Sequence, residues 1–290
     1  MIHQTSERPS LWHLIKQFIH LRRFAFTVFL PLMGAATATR GATPAQIIFI
    51  VVTALQFHIF TYVLNDVVDL PVDRLMPKRA THPLVRGEIP STTALAIALT
   101  QVPLMLVLGL LAAIPPYALA ALLMAVSCMA VYDIWGKQNA FPPITDLIQA
   151  LSWGSLTLYG AWSVGDPTFL TLVLASIFVL FILLMNGVFE GVIDIAEDTA
   201  AGLKTTAMIF GTKPGREGRL PFIPLGLFIY CLVLEAMLSA LNLTPLIRND
   251  FDYNENFRTL VLAIVIILNV MIVWLSIRLV IPSEKLRRRI

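Results

Sequence analysis

Long apolar stretches, separated by short polar or proline-containing connections, dominate the pattern of this chain. Eight of them approach the roughly 20 residues that an α-helix needs to cross the hydrocarbon of a bilayer. The pattern therefore predicts an all-α fold, a polytopic membrane bundle of eight transmembrane helices. The predicted spans are residues 24–40, 45–65, 92–113, 116–134, 144–163, 167–192, 220–243 and 257–281.

A shorter pattern precedes these spans. Between residues 11 and 23, the apolar side chains Leu14, Phe18 and their neighbours fall on one helical stripe, while Lys16 and Arg23 lie elsewhere. This pattern is typical of an amphipathic helix at the membrane surface. We expect the chain to consist of three parts, with a transmembrane domain in the middle that can be divided into two four-helix halves. The parts are an interfacial segment 1–23, a transmembrane domain 24–281 (halves 24–134 and 144–281) and a basic tail 282–290.

Composition and charge support this interpretation. The chain is 57% hydrophobic and 13% charged, whereas soluble domains carry about 25% charged residues. If the N-terminus is cytoplasmic, all of the 21 Lys and Arg except Arg40, Arg248 and Arg258 lie on the cytoplasmic side. Positive residues favour that side. We therefore expect a multi-pass membrane protein with both termini and two long loops, residues 66–91 and 193–219, in the cytoplasm. The basic residues form no face typical of nucleic-acid binding.

Three aspartates stand at the cytoplasmic end of the second span. Asp66, Asp69 and Asp73 are separated by three and four residues, so a helix continued through them places all three carboxylates on one face. Carboxylates packed this closely repel one another. Hard oxygen ligands at the mouth of a membrane segment therefore indicate a divalent cation.

A second acidic stripe stands at the end of the sixth span. Asn186, Glu190, Asp194 and Asp198 recur every four residues, one above another on a continuous helix. Each stripe ends an even-numbered span, so we expect the two to face each other across a central cavity capped by the two loops. Each can hold Mg²⁺, with a diphosphate bridging the ions. A solvated loop with capping carboxylates is the alternative for either stripe alone.

At these residues the chain resembles the UbiA superfamily of intramembrane prenyltransferases, over about residues 22–215. Residues 65–73 match the first aspartate-rich motif of that family, and residues 83–87 resemble the element that follows it. Residues 194–205 match the second motif, Asp-x-x-x-Asp followed by Ala-Gly-x-Lys-Thr.

Tyr132 and Lys137 resemble the tyrosine and lysine that follow the fourth helix of the family. The chain also departs from the family pattern. His82 stands where the family usually has arginine, and Glu190 stands where many relatives have Asn or Asp. The family usually has nine spans, whereas the sequence predicts eight.

The resemblance implies Mg²⁺-dependent transfer of an isoprenyl group from a prenyl diphosphate to a lipophilic, aromatic acceptor, with release of diphosphate. It implies that Tyr132 lies near the allylic cation as a catalytic residue. The implied metal ligands, of which all but Asp73 are also counted as catalytic, are Asp66, Asp69, Asp73, Asp194 and Asp198. The expected diphosphate contacts are Asn65, Arg74, Lys78, Arg79, Arg86, Lys137 and Lys204.

Four further residues are candidates for binding the acceptor. His58 and Tyr62 precede Asp66 by eight and four residues and share its face of the second span. An acceptor-binding or proton-accepting role for His58 competes with a purely structural interhelical hydrogen bond. Asn186 and Glu190, which belong to the second stripe, are the other two candidates.

Two other functions remain open from the sequence. A terpene cyclase of the same superfamily would act on a prenyl diphosphate without an acceptor, and the departures at His82 and Glu190 leave room for it. A transporter or a non-catalytic prenyl-lipid-binding protein is the other class. Transporters typically place broken helices in mid-membrane, whereas these acids cluster at the inner mouth.

Overall fold

The structure is a computed structural model that describes residues 11–136, 141–215, 221–247 and 255–280. Helices make up most of these ranges, and the β-structure among them is limited to two isolated bridges, so the predicted all-α class is confirmed. The predicted basic tail and Lys137 lie outside the described residues.

Twelve α-helices are described within these ranges, with short 3-10 turns at Leu21–Arg23 and Pro77–Arg79 and a π-helical turn at Met185–Glu190. In chain order, the α-helices are α1 Leu11–Phe18, α2 Phe24–Ala36, α3 Pro44–Asp73, α4 Ser91–Leu111, α5 Pro116–Trp135, α6 Pro142–Trp162, α7 Phe169–Leu184, α8 Gly191–Ile193, α9 Ile195–Ala200, α10 Thr206–Ile209, α11 Leu225–Ile247 and α12 Glu255–Val280.

Five helical segments of the described chain are long and apolar enough to cross a membrane. A helix lies at each of the eight predicted spans, but the number eight is not confirmed. α2 has 13 residues and is only about 20 Å long. α6 carries Thr145, Asp146 and Gln149 near its start, which lowers its hydropathy. The five segments are Pro44–Asp73, Ser91–Leu111, Pro116–Trp135, Phe169–Ile193 and Leu225–Thr244.

The chain divides into two compact units. The first comprises Met1–Phe29 and Thr43–Ile114, and the second comprises Leu30–Ala42 and Pro115–Ile290. The predicted four-helix halves would instead divide the chain between residues 134 and 144. This division stays a prediction.

In the first unit, α3 is the main element, and α4 packs against it. Thr43 starts α3 with a reciprocal cap: its hydroxyl accepts from the backbone N–H of Gln46, and the Gln46 side chain accepts from the Thr43 N–H. The 30 residues of α3 extend about 45 Å, against about 30 Å of hydrocarbon in a bilayer. α3 is therefore long enough to cross and still carry its last turns beyond the hydrocarbon.

In the second unit, helices α5, α6, α7, α11 and α12 pack one against the next. Glycines allow the end of α2 to lie directly on α6. A Cβ placed on Gly34 would lie 1.9 Å from the Thr157 carbonyl oxygen, and one on Gly160 would lie 1.9 Å from the Pro31 carbonyl oxygen. Small residues of this kind let helix backbones approach closely in membranes.

This contact predicts that Gly160→Ala is poorly tolerated. The added methyl group would meet backbone rather than a flexible side chain, so the helices would have to separate. We expect a loss of stability of at least about 3 kcal/mol, the upper end of typical overpacking costs. Thermal unfolding of the purified protein in detergent measures the loss. Gly41→Ala is the matched control, because a Cβ there meets nothing within 4 Å. Equal unfolding temperatures for the two variants would contradict the prediction.

Candidate active site

The three aspartates of the first motif lie on the last turns of α3, which continues through all of them and ends at Asp73. The predicted helical spacing is therefore observed. Asp66 and Asp73 are almost fully buried, with 2% and 4% of their surfaces exposed, and Asp69 is half-buried. Buried carboxylates need nearby cations or hydrogen-bond donors.

The groups around Asp66 form what we call the Asp66 cluster: His20, Asp66, Arg79 and His82. The Asp66 Oδ2 atom lies 2.7 Å from the His20 Nε2 atom and 3.3 Å from the His82 Nε2 atom. The Asp66 Oδ1 atom lies 3.6 Å from the Arg79 guanidinium, whose Nε atom is also 3.3 Å from an oxygen of Asp73. Arg79 therefore links both buried carboxylates.

His82 lies in the loop after α3 and is buried, with 8% of its surface exposed. Burial lowers the pKa of its imidazole below the ordinary value, and the nearby Asp66 carboxylate opposes this in part. The arginine that the family usually has at this position would carry a permanent charge, whereas the lowered pKa makes this imidazole harder to protonate than an exposed histidine.

His20 reaches Asp66 from the junction between α1 and the following 3-10 turn. Its backbone is left-handed, with a φ of 50°, a conformation that histidine adopts more often than most residues. The ring stacks on Tyr62 and on His82 at centroid distances of 5.2 and 5.6 Å. The Arg23 guanidinium lies over the Tyr62 ring, 5.5 Å from its centroid. Tyr62 therefore lies between two basic side chains of the N-terminal segment.

His58 lies on α3, eight residues before Asp66, and is fully buried. Both of its ring nitrogens have partners. The Thr27 hydroxyl lies 2.8 Å from Nδ1. Nε2 lies 2.9 Å from the Ile19 carbonyl oxygen and 3.3 Å from that of His20. Since carbonyls only accept, Nε2 donates and Nδ1 accepts from Thr27. This arrangement favours the structural alternative for His58, because it holds the segment that carries His20; its predicted acceptor role stays a prediction.

The remaining basic candidates of the first loop are more exposed than Arg79. Arg86 is exposed, and its guanidinium lies 2.5 Å from the carboxylate of Glu88. Arg74 and Lys78 are also exposed, and Asn65 is half-buried on α3. The structure thus places Arg79 on the aspartates and leaves these other diphosphate contacts as predictions.

The second motif lies on a helix that is less regular than the sequence predicted. A π-helical turn covers Met185–Glu190, and the chain leaves helical geometry at Asp194 before α9 begins. The expected straight stack of Asn186, Glu190, Asp194 and Asp198 is therefore wrong in detail. A π turn holds more residues than an α turn and rotates those that follow. Such turns are frequent at functional sites. Backbone bonds still join Asp194 to the Glu190 carbonyl and Asp198 to the Asp194 carbonyl, both at 2.9 Å.

Two polar contacts fix this irregular segment to α6. The Asn186 amide donates to Gln149, and the Thr206 hydroxyl donates to the buried carboxylate of Asp146 at 2.5 Å. Gly187, inside the π turn, leaves room for that carboxylate, since a Cβ there would lie 3.3 Å from it. These bonds hold the two ends of the segment that carries the second motif.

The other predicted residues of the second unit are located as follows. Tyr132 is half-buried on the last turn of α5, and a Cβ on Gly136 would lie 3.2 Å from its ring. Asp194 and Asp198 are half-buried, whereas Glu190 and Lys204 are exposed.

The sequence interpretation missed His20, Asp146 and Gln149. His20 had one visible signal, a histidine directly before Leu21-Arg22-Arg23 at the inner end of the first span. Asp146 and Gln149 were visible as polar residues inside an apolar run. Their partners, however, lie 60 and 37 positions away, and local spacing cannot reveal such pairs.

The His58 network predicts a specific energetic coupling. His58→Leu supplies an apolar side chain of similar size but removes the ring partner of the Thr27 hydroxyl and of the Ile19 carbonyl, whereas the His20 carbonyl keeps its bond from the Arg23 N–H. We expect it to lower the free energy of unfolding by about 1–3 kcal/mol. Adding Thr27→Val removes one of the unpaired groups and should recover part of the loss. Unfolding of the single and double variants in detergent measures both effects, and unchanged stability of His58→Leu would contradict the structural role.

Comparisons with known proteins complete the description of the site. A profile of the UbiA prenyltransferase family matches residues 27–249. A comparison with curated proteins gave no match.

Similar solved structures include a UbiA homologue from Archaeoglobus fulgidus bound to GPP and Mg²⁺ (22% identity, TM-score 0.67, covering 88% of this chain and 86% of that one). A digeranylgeranylglyceryl phosphate synthase has 17% identity and a TM-score of 0.70 over 95% of this chain and 90% of its own. A homologue from Aeropyrum pernix K1 has 19% identity and a TM-score of 0.63, over 96% and 94%. The fold of these proteins and the profile match over most of the chain agree: this integral membrane protein belongs to the UbiA prenyltransferase family.

Proposed function

We propose that this protein transfers an isoprenyl group from a prenyl diphosphate to a lipophilic, aromatic acceptor in a Mg²⁺-dependent reaction that releases diphosphate. The observation that carries the proposal is the pair of buried carboxylates, Asp66 and Asp73, linked by Arg79 at the end of a membrane-crossing helix. Membership of the prenyltransferase family supports the reaction class. The A. fulgidus homologues bound to GPP or DMAPP with Mg²⁺ support the donor and the metal by analogy.

The residues of the first motif fit Mg²⁺. They offer carboxylate oxygens from one helix face, and Mg²⁺ usually takes one or two carboxylates together with water and phosphate oxygens. When bound, the metal neutralises the negative charge that develops on the leaving diphosphate. The proposed ligands are Asp66, Asp69 and Asp73 in the first unit and Asp194 and Asp198 in the second.

Arg79 has a second proposed task at the diphosphate. The Arg79 side chain is about one quarter exposed and its guanidinium contacts two carboxylates, so it can offer one N–H edge to a phosphate oxygen while it keeps a carboxylate contact. The other proposed diphosphate contacts are Asn65, Arg74, Lys78, Arg86, Lys137 and Lys204.

The prenyl carbon needs an electron-rich and dry environment. Departure of diphosphate leaves positive charge on the allylic carbon, and an aromatic face such as that of Tyr132 stabilises a cation. Apolar helices exclude the water that would otherwise quench it. Tyr62, Asn186 and Glu190 are proposed acceptor contacts. His58 contributes by holding the chain around His20, in keeping with its two occupied nitrogens.

We further propose that both termini and both motif loops face the cytoplasm. The steep excess of Lys and Arg in those segments supports this orientation. A water-soluble leaving group would then return to the compartment that the basic loops face.

The proposal predicts that Asp66→Asn and Asp194→Asn each reduce Mg²⁺-dependent diphosphate release by about 100-fold or more, because each change removes a ligand charge at a developing anion. A coupled phosphate assay with geranyl diphosphate and a mixture of aromatic acids measures the rate. Glu197→Gln is the matched control, since Glu197 is an exposed acid between the two aspartates of the second motif. Full activity of Asp66→Asn would contradict the proposal, as would loss of activity in Glu197→Gln alone.

The requirement for an acceptor separates transfer from cyclisation. Geranyl, farnesyl and geranylgeranyl diphosphates are incubated with Mg²⁺, each with and without a panel of aromatic acids. We expect diphosphate release to depend on the acid, and mass spectrometry should find the prenylated acid. A hydrocarbon or terpene alcohol formed without any acid would instead identify a cyclase. No release under any condition, with intact folded protein, would favour a non-catalytic lipid binder.

A further inference from the structure

We propose that His20, Asp66 and His82 form a binding site for a transition-metal dication. The chemistry of these donors favours Zn²⁺ as the bound ion. The site shares Asp66 with the proposed Mg²⁺ ligands but differs from them in supplying two nitrogen donors. The binding itself follows from the geometry of the Asp66 cluster. Only the consequence for catalysis rests on the proposed function: zinc on Asp66 would withdraw that carboxylate and inhibit prenyl transfer.

The two oxygens of Asp66 have different surroundings. The Oδ1 atom faces the Arg79 guanidinium at 3.6 Å, whereas the Oδ2 atom faces the Nε2 atoms of His20 and His82 at 2.7 and 3.3 Å. The three possible ligand atoms all lie within 4.8 Å of one another. In a tetrahedral zinc site with bonds of about 2.0–2.1 Å, ligand atoms lie about 3.3 Å apart. Small side-chain shifts therefore bring these three atoms around one ion.

The His82 imidazole is a buried group that lacks a well-formed hydrogen bond. It is more than nine-tenths buried, with Nε2 3.3 Å from the Asp66 oxygen and the Gln17 backbone nearby, yet neither ring nitrogen makes a hydrogen bond of normal geometry. A buried polar atom left in this state is unfavourable. A metal ion bound by Nε2 would satisfy it and would join the imidazole and the Asp66 carboxylate through a shared cation.

The neighbours of His20 hold its ring toward the site. The His20 carbonyl accepts from the Arg23 N–H at 2.8 Å and from the His58 ring at 3.3 Å, and the imidazole stacks on Tyr62 and His82. These contacts hold both the backbone and the ring of His20 in place. The His20 side chain is 13% exposed, so water can reach the cluster from its side. Zinc sites with three protein ligands and a water in the fourth position are well known.

Ligand chemistry selects Zn²⁺ over Mg²⁺ at this position. Imidazole nitrogen suits zinc and its neighbours in the transition series, while Mg²⁺ prefers oxygen and gives up its water reluctantly. The carboxylates Asp69 and Asp73 offer oxygen only. The first motif thus contains two sets of donors that share Asp66 and prefer different ions.

Zinc binding to the purified protein tests the proposal without any catalytic assay. Untagged, metal-free protein in detergent is titrated with Zn²⁺ in competition with a chromophoric chelator, in the presence of excess Mg²⁺. We expect one tight site per chain. Its affinity should fall by at least about tenfold in His20→Asn and in His82→Asn. Asp69→Asn and Asp194→Asn are the matched controls, because they remove proposed Mg²⁺ ligands but none of the three zinc ligands; both should keep the wild-type zinc affinity.

A second measurement covers the case in which a histidine variant folds poorly. Co²⁺ bound in place of zinc should give the visible absorption of a site with nitrogen ligands in the wild-type protein and in both controls. Zinc affinity that survives both histidine changes and is lost in Asp69→Asn or Asp194→Asn would overturn the proposal, and so would the absence of a tight site. Neither result would bear on prenyl transfer, which the assays with Mg²⁺ and prenyl diphosphate test separately.

Discussion

Two carboxylates buried at the end of one membrane-crossing helix impose the constraint on which the first unit depends. Asp66 and Asp73 lie on one face of α3, nearly without solvent, and such groups are stable only beside positive charge or donors. Arg79 joins both of them, and His20 reaches back from the N-terminal segment to Asp66. The loop after α3 and the chain before α2 are therefore both positioned by the same pair of acids.

The first motif and its setting could be predicted because they are local. The spacing of Asp66, Asp69 and Asp73 requires only that a helix continue, and apolar patterning in α3 ensures that it does. The second motif shows the limit of this reasoning. Its four-residue spacing predicts a straight stripe, yet a π turn precedes Asp194, and Asn186 within that turn is bonded to Gln149 of α6. Spacing along the chain contains no information about such contacts.

Histidines illustrate the same limit from the other side. His58 was visible from its position on the face of Asp66, but its role depends on Thr27 and on carbonyls 38 and 39 positions earlier. His20 contacts Asp66 only because its own backbone turns into the left-handed region, which no periodic pattern predicts. The predicted number of eight spans is not confirmed, because α2 is short and α6 is polar near its start, so hydropathy and length alone do not identify either as a span.

The histidine at position 82 links these observations to chemistry. The UbiA family usually has arginine at this position, which would add a fixed positive charge beside Asp66. Burial lowers the pKa of the His82 imidazole, so the permanent positive charge beside Asp66 is that of Arg79, which also lies beside Asp73. The two buried carboxylates offer oxygen atoms to a bound cation, and the His20 and His82 nitrogen atoms near Asp66 influence which cation it is.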